Sequence, residues 1–198
     1  MMEPMPKTLN GRTTKYEIDD QFLNRHSPRA LSGEKLSEEE LMTLFDAARW
    51  APSSYNIQPW RFIYAMRETP EFETMFSLLV DFNKNWCVNA SALVVAISQK
   101  TDDKNRPNPT HSFDTGSAWE NLALQANKMN LVAHGMSGFD FKIAAEKLGV
   151  PDDYNVEMMF AVGRHGKIEN LPEAMRGGET PNDRRPLDQT IFPGKFPN

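Results

Sequence analysis

Cysteine is almost absent from this chain of 198 residues, in which Cys87 is the only one. A lone cysteine excludes an internal disulfide and any zinc or iron–sulfur site built from several cysteines. The four histidines lie far apart and form no H-E-x-x-H pattern, so a zinc hydrolase has little support and we expect no metal. We expect Cys87 to be an unreactive core thiol and the protein to work in a reducing cytoplasm.

An excess of positive charge and long apolar runs are also missing. Lys and Arg total 22 against 27 Asp and Glu, a formal net charge of -5, so we expect no nucleic-acid partner. Residues 1–11 include two prolines and few consecutive apolar residues, so we expect neither a signal peptide nor a membrane anchor. No G-x-G-x-x-G follows a strand, which leaves a Rossmann dinucleotide site without support.

The composition that is present, 39% hydrophobic and 25% charged residues, is typical of one globular domain over 1–198. Apolar spacing predicts helices over 37–50, 70–84, 113–130 and 140–148, and strands over 60–66, 92–98, 131–136 and 156–162. Ser37 and Glu40 form a capping box at the first helix. This alternation favours a layered arrangement in which helices cover a mostly buried sheet.

A loop rich in hydroxyls and amides follows the first of these helices. It reads Ala51-Pro52-Ser53-Ser54-Tyr55-Asn56-Ile57-Gln58-Pro59-Trp60. The prolines restrict the backbone at both ends, and the polar side chains between them can bind a planar polar ligand. The alternative is an ordinary loop whose Ser and Asn side chains bond their own backbone.

A second polar cluster, Arg25-His26-Ser27-Pro28-Arg29, follows an earlier helical segment. One guanidinium group can bind two phosphate oxygens at once, and a hydroxyl adds a further short hydrogen bond. The cluster therefore predicts a site for the phosphate of a mononucleotide. Its alternative is a solvated basic surface loop.

Together these segments resemble the nitroreductase family of flavin mononucleotide (FMN) enzymes, which carry an Arg-x-Ser-x-Arg/Lys element and a Pro-Ser-Ser-x-Asn-x-Gln-Pro-Trp loop. Further matching elements follow in order: Asn83-Lys84-Asn85-Trp86, Met136-Ser137-Gly138-Phe139-Asp140 and Arg184-Arg185-Pro186-Leu187. Two positions depart from the family pattern. Ser137 stands where several members carry Glu, and Trp86 where some carry Lys.

The resemblance implies an α+β fold, a nitroreductase-like α/β/α sandwich with a central, largely antiparallel sheet completed by the partner subunit's C-terminal arm. Residues 180–198 would be the arm that embraces the partner, and residues 1–12 a flexible lead-in. Ile191, Phe192 and Phe196 are apolar residues in this arm that need a surface to pack on. The protein would be a homodimer with FMN at the subunit interface.

The resemblance also implies which residues bind FMN. Arg25, Ser27 and Arg184 would hold the phosphate, with His26 and Arg185 beside them. Arg29 would lie at the pyrimidine edge of the flavin and tune its potential electrostatically, with Asn83 at the same edge. Met136, Ser137 and Gly138 would line the opposite side. The loop residues Pro52, Ser53, Ser54, Asn56 and Gln58 would come from the other subunit.

The reaction implied is hydride transfer from NAD(P)H through bound flavin to a flat acceptor, by a ping-pong mechanism. A nitroaromatic, a quinone or free flavin would serve as acceptor, and no single residue is assigned as catalytic because the cofactor carries the chemistry. Trp86 or Phe113 would border the acceptor pocket, although packing in the core or the dimer interface is the favoured role for both. Two alternatives stay open: a non-catalytic FMN-binding or redox-sensing protein, and a specialised flavin enzyme on the same scaffold.

Overall fold

A four-stranded antiparallel sheet forms the centre of the computed structural model, which describes residues 7–197. The strands are β1 (Lys7–Leu9), β2 (Arg12–Thr14), β3 (Trp60–Met66), β4 (Ala92–Gln99), β5 (Leu131–Met136) and β6 (Tyr154–Arg164). The helices are α1 (Asp20–Asn24), α2 (Glu38–Ala48), α3 (Pro70–Ser77), α4 (Asp81–Cys87), α5 (His111–Lys128), α6 (Phe141–Lys147) and α7 (Glu173–Arg176). Short 3-10 turns lie at Ser54–Asn56, Ile168–Asn170 and Leu187–Gln189.

Helices cover both faces of the sheet, whose strand order is β3-β4-β6-β5. Alternate residues of β4 enter two different apolar clusters. Leu93 and Val95 pack with residues of α3, α4 and α6, whereas Val94 and Ala96 pack with residues of α2 and α5. The predicted burial of this strand on both faces is confirmed, and so is the α/β/α sandwich with its antiparallel sheet.

Helix α2 begins at the predicted capping box. The Ser37 hydroxyl accepts from the Glu40 backbone N–H, and the Glu40 carboxylate accepts from the Ser37 N–H at 2.9 Å. The same carboxylate accepts two bonds from Arg164 Nη2, at 2.8 and 3.0 Å. The Ser37 backbone bond is the largest of the effects that lower the pKa of Glu40. The Glu40 side chain thus caps the start of α2 and ties the helix to Arg164 of β6.

The predicted helix over 70–84 is wrong as a single element, because α3 ends at Ser77 and α4 begins at Asp81. The break is caused by pairing with a distant segment. The Val80 N–H donates to the Gly138 carbonyl at 3.0 Å, and the Asp140 N–H donates to the Leu78 carbonyl at 3.3 Å. Tertiary hydrogen bonds therefore outweigh the helical spacing of the apolar residues at this point.

The N-terminal segment also differs from the expected flexible lead-in over 1–12. Residues 1–6 lie outside the described part of the chain, but β1 and β2 form an antiparallel hairpin. Its turn is Asn10-Gly11, with positive φ values of 53° and 74°, the conformation that two-residue hairpin turns require. Across residues 7–197 no helix is long and apolar enough to cross a membrane.

Candidate functional site

A cavity of about 380 Å³ lies between the loop that follows α1 and the C-terminal segment. Arg25, Ser27 and Arg29 line it from the first side and Arg184 from the second. We call it the cationic cavity, because Glu179 is the only acidic residue among its described lining residues. The predicted phosphate residues are thus brought together from opposite ends of the chain.

Arg12, which the sequence reasoning missed, is the buried centre of this site, with 4% of its surface exposed. Its Nη1 donates to the carbonyls of Leu23 at 2.9 Å and Arg25 at 2.6 Å, and its Nε donates to the Asn182 carbonyl at 2.8 Å. Burial, followed by repulsion from Arg184 and Arg25, lowers the pKa of Arg12. Repulsion between like charges thus adds to the effect of burial at Arg12.

The side chains of Arg25 and Arg184 keep donors available for a ligand. Arg25 Nη1 lies 3.4 Å from the Ser27 hydroxyl, and its Nε lies 3.6 Å from a Glu120 carboxylate oxygen. Arg184 Nη1 bonds only to its own segment, at Asn182 and Asp183. Within the described chain, Nη2 of neither guanidinium makes a hydrogen bond, so an anion can take both.

His134 lines the cationic cavity and contacts the loop that carries Ser27 and Arg29. Its Nδ1 lies 3.0 Å from the Pro28 carbonyl oxygen, and its ring lies 4.6 Å from the Trp86 ring. Burial lowers the pKa of His134, which the bond to Pro28 offsets only in part, so this imidazole is neutral at neutral pH. His26, at the rim, is held by a 3.2 Å contact from its Nδ1 to the Asn24 carbonyl.

Gly138 and Asn83 form a second predicted part of the site. Phe82, the residue before Asn83, contacts Arg29 of the cationic cavity. The Asn83 amide nitrogen donates to the Gly138 carbonyl at 3.1 Å, and its oxygen accepts from Trp86 Nε1 at 3.3 Å. A Cβ on Gly138 would lie 2.5 Å from that amide nitrogen. Glycine is therefore required here by packing inside the chain. The contact of Asn83 with a flavin stays a prediction.

Met136 and Ser137 differ in what they offer a ligand. The Met136 side chain is buried, and its sulfur accepts from the Cys87 thiol at 3.7 Å, so only its backbone is available to line a ring. Ser137 is exposed beside Gly138. Burial also raises the pKa of the Cys87 thiol, in agreement with the predicted unreactive core cysteine.

The loop over 51–60 lies away from the cationic cavity, beside the start of α5. The Ser54 N–H donates to the Asp114 carboxylate at 3.1 Å, and the Gln58 N–H donates to the Ser53 hydroxyl at 3.0 Å. Tyr55, Asn56 and Gln58 have positive φ values between 49° and 57°, a strained backbone that these bonds hold in place. The Ser53 hydroxyl thus bonds the backbone of its own loop, as the alternative interpretation predicted for the Ser and Asn side chains.

Residues 54–57 of this loop line a different cavity, of about 630 Å³, together with residues 102–104 and 106–109. Among the described residues, none lines both this cavity and the cationic one. The two predicted halves of the site are therefore separate within one chain. Pro52 lies in the same loop, and Arg185 lines a groove next to the cationic cavity.

The two aromatic residues proposed for the acceptor pocket have opposite environments. Trp86 is 1% exposed and belongs to the core, whereas Phe113 is 79% exposed near the start of α5. Of the favoured roles, core packing is confirmed for Trp86 and is wrong for Phe113. Packing of Phe113 in a dimer interface stays a prediction. Within residues 7–197, no group of three His, Cys, Asp or Glu side chains could hold a metal ion.

Comparison with known proteins places this geometry in a family. The Nitroreductase family model matches residues 23–164. An oxygen-insensitive NADPH nitroreductase of Helicobacter pylori strain J99 is 30% identical over 154 residues, which is 75% of this chain and 67% of that protein. An uncharacterised 15.4 kDa protein of Mycolicibacterium smegmatis is 31% identical over 128 residues, 64% of this chain and 85% of that protein.

Solved structures agree with the family match. A crystal structure described as the oxidoreductase containing FMN superposes with a TM-score of 0.92 and 39% identity, covering 96% of this chain and 98% of that chain. A nitroreductase family protein from Clostridium difficile 630 has a TM-score of 0.69 at 22% identity, with 91% and 100% coverage, and supports the fold alone. This chain belongs to the nitroreductase family.

Proposed function

We propose that this protein is an NAD(P)H-dependent oxidoreductase that binds FMN and passes hydride to a flat acceptor by a ping-pong mechanism. Nitroaromatics, quinones and free flavin are the acceptor classes. Membership of the nitroreductase family, the H. pylori NADPH nitroreductase and the FMN-containing structural relative support the enzyme class and the cofactor. The observation that carries the proposal for this chain is the cationic cavity.

The residues of the cationic cavity fit the phosphate of FMN. Arg25 and Arg184 keep unbonded Nη2 groups within the described chain, and Ser27 adds an exposed hydroxyl. Four arginines, Arg12, Arg25, Arg29 and Arg184, line the cavity against one carboxylate among the described residues. Burial, together with repulsion from Arg184 and Arg25, lowers the pKa of Arg12. A dianionic phosphate would relieve this repulsion and form charge-assisted hydrogen bonds.

When bound, FMN supplies the hydride chemistry, and the protein supplies position and charge. Arg29 places a cation in the cavity beside the Phe82 ring, where it would stabilise negative charge on a ligand. Asn83 holds the Gly138 carbonyl and so fixes the backbone that a flat ring would meet. Neutral His134 shapes the floor without adding charge. No side chain is required as a nucleophile.

A homodimer explains why the loop over 51–60 is separate from the cationic cavity. The loop from one subunit would complete the site of the other, which accounts for its rigid, strained backbone. Strand β3 lies at an edge of the four-stranded sheet, and Ile191 and Phe196 are exposed on the C-terminal arm. The arm of one subunit would cover apolar surface of the other and complete its sheet.

The experiment that tests the function is an anaerobic visible spectrum of the FMN-loaded protein before and after NADPH, and separately NADH. Bleaching of the flavin, followed by recovery when a nitroaromatic or quinone is added, is the expected result. The rates with the two nucleotides rank the donors. Bound flavin that stays oxidised would favour the non-catalytic FMN-binding alternative. Absence of FMN binding would contradict both.

A further inference from the structure

Glu179 makes an unusual set of contacts with the loop that lines the cationic cavity. Its two carboxylate oxygens each accept from the Arg29 backbone N–H at 3.0 Å, and one of them accepts from the Ala30 N–H at 2.9 Å. The contacts join the C-terminal segment to the phosphate loop across about 150 residues of sequence. Glu179 is half-buried, and its negative charge lies in a cavity that is otherwise suited to an anionic ligand.

The other ties to this loop come from its opposite sides. The Pro28 carbonyl contacts His134, and the Ala30 carbonyl accepts from the Gly166 N–H at 2.7 Å. These ties hold the loop to the sheet but leave the C-terminal segment unattached. That segment is joined to the loop region by Glu179 and by Arg12, whose Nε donates to the Asn182 carbonyl at 2.8 Å. Arg184 follows two residues later.

We propose that Glu179 is a positioning residue for the phosphate end of the cofactor. Its carboxylate fixes the backbone at Arg29 and Ala30 and so holds the C-terminal segment where Arg184 can meet Arg25 across the cavity. This inference rests on the proposed binding of FMN. It assigns to Glu179 a role that acts through the arginines and involves no contact with the reacting atoms.

Whether FMN binding weakens or strengthens when the Glu179 charge is removed distinguishes a positioning role from simple charge repulsion. A negative charge in the cavity repels a phosphate, so removing the charge alone would strengthen FMN binding. If the carboxylate instead organises the loop, removing it separates the phosphate donors and weakens FMN binding. The isosteric change Glu179→Gln replaces one acceptor oxygen with an NH2 donor. This donor faces the Arg29 N–H in either orientation of the amide, because both carboxylate oxygens accept from that N–H. The two roles therefore predict opposite outcomes.

The experiment is titration of the apo protein with FMN and with riboflavin, which lacks the phosphate, followed by the quenching of flavin fluorescence. Wild type, Glu179→Gln and Glu179→Asp are compared with the control Glu173→Gln, an exposed carboxylate on the same segment. We expect Glu179→Gln to lower the FMN-over-riboflavin affinity ratio about tenfold, the effect of losing charge-assisted hydrogen bonds. Glu173→Gln should leave the ratio unchanged.

A general loss of structure would weaken both ligands equally and leave the ratio at its wild-type value, which would overturn the inference. A ratio that rises would overturn it as well, in favour of simple charge repulsion. If Glu179→Gln does not fold, Glu179→Asp, which keeps the charge but shortens the reach by one methylene, must show the lowered ratio. Failure of the wild type to bind FMN would contradict the proposed function itself, and is distinguished by the first titration.

Discussion

The Arg29 guanidinium carbon lies 5.6 Å from the centroid of the Phe82 ring. A Cβ on Gly178 would lie 3.2 Å from Arg29 Nη1, so the guanidinium occupies the space between an aromatic ring and a glycine. Cation–π contact restrains the charged group without neutralising it. Arg29 is thereby held as an oriented positive charge in the lining of the cationic cavity, against Phe82 of α4.

Replacing Arg29 tests its role as the electrostatic tuner of the flavin. We expect Arg29→Ala to lower the reduction potential of bound FMN, because a cation near the pyrimidine edge stabilises the charge gained on reduction. An interaction of about 1–3 kcal/mol corresponds to roughly 20–60 mV for a two-electron couple. Spectroelectrochemical titration measures it. Arg29→Lys keeps the charge and should retain most of the potential, and an unchanged potential in Arg29→Ala would remove this role.

Arg25 should contribute directly to FMN retention. Its side chain is largely buried, at 17% exposed, and faces Ser27. We expect Arg25→Ala to weaken FMN binding by about 1.5–3 kcal/mol, the typical cost of losing a charge-assisted hydrogen bond. Equilibrium dialysis or fluorescence quenching gives the affinity. Arg49, 60% exposed and paired with Asp46, provides the control Arg49→Ala, and equal affinities in the two variants would refute the assignment.

Gly138 should tolerate no side chain. A methyl group there would meet the Asn83 amide at 2.5 Å and Val80 Cγ2 at 3.0 Å, so Gly138→Ala should displace Asn83 from its bond to the Gly138 carbonyl. We expect the free energy of unfolding to fall by about 1–3 kcal/mol, measured by urea denaturation of the apo protein. The control is Gly177→Ala, because an added Cβ there would meet no neighbouring atom within 4 Å and the backbone φ is -62°. Equal stability of the two variants would contradict the packing argument.

Cys87 should be chemically silent in the folded protein. The thiol is fully buried, and burial raises its pKa, so the reactive thiolate is scarce at ordinary pH. We expect no reaction with Ellman's reagent at about pH 8 until urea unfolds the protein, when one thiol per chain reacts. Fast labelling of the native protein would show that the core around α4 opens readily.

Glu157 should make stability depend on pH. The Ser112 hydroxyl donates to its carboxylate at 2.6 Å, the Ser98 hydroxyl donates to the same oxygen, and His111 Nδ1 lies at 3.5 Å. Burial raises the pKa of Glu157, but the hydrogen bonds from Ser112 and Ser98 outweigh it and hold the pKa below the ordinary 4.5. The carboxylate therefore stabilises the fold above that pH, and the stabilisation is lost as pH falls through the lowered value.

The change Glu157→Gln should cost about 1–2 kcal/mol of unfolding free energy at neutral pH. The difference from wild type should shrink as the pH falls from the ordinary carboxylate value through the lowered one, because the unfolded and then the folded wild-type side chain becomes protonated. Urea unfolding of both proteins at neutral and acidic pH measures this difference. Glu39→Gln, an exposed carboxylate on α2, is the control. A difference that is independent of pH would exclude the linkage.

Several elements could be predicted because their signals are local. The capping box of Ser37 and Glu40 needs only four neighbouring residues, and α2 begins where it stands. The unbroken apolar run of β4 identified a strand covered on both faces. The Asn10-Gly11 turn is also a local signal, but its strands of three residues each are too short to show a period of two in the sequence.

The candidate site was predictable in its parts through the family resemblance. Arg25, Ser27, Arg29 and Arg184 were all named, and all line one cavity. Arg12 and Glu179 were missed because neither belongs to a motif that carries the family resemblance. Both side chains bond backbone groups of distant segments. Arg12 donates to the carbonyls of Arg25 and Asn182, and Glu179 accepts from the Arg29 N–H. Nothing in the neighbouring sequence distinguishes such residues from exposed charges.

Local chain chemistry was therefore enough to place the cap of α2, the buried strand and the two polar segments, since each depends on residues within one or two turns. Tertiary structure alone divided 70–84 into two helices, because the carbonyl of Gly138 and the N–H of Asp140 form hydrogen bonds there. It also separated the loop over 51–60 from the cationic cavity and joined the two ends of the chain through Arg12 and Glu179. Such contacts depend on where the folded backbone leaves its unpaired N–H and C=O groups, which spacing along the sequence does not encode.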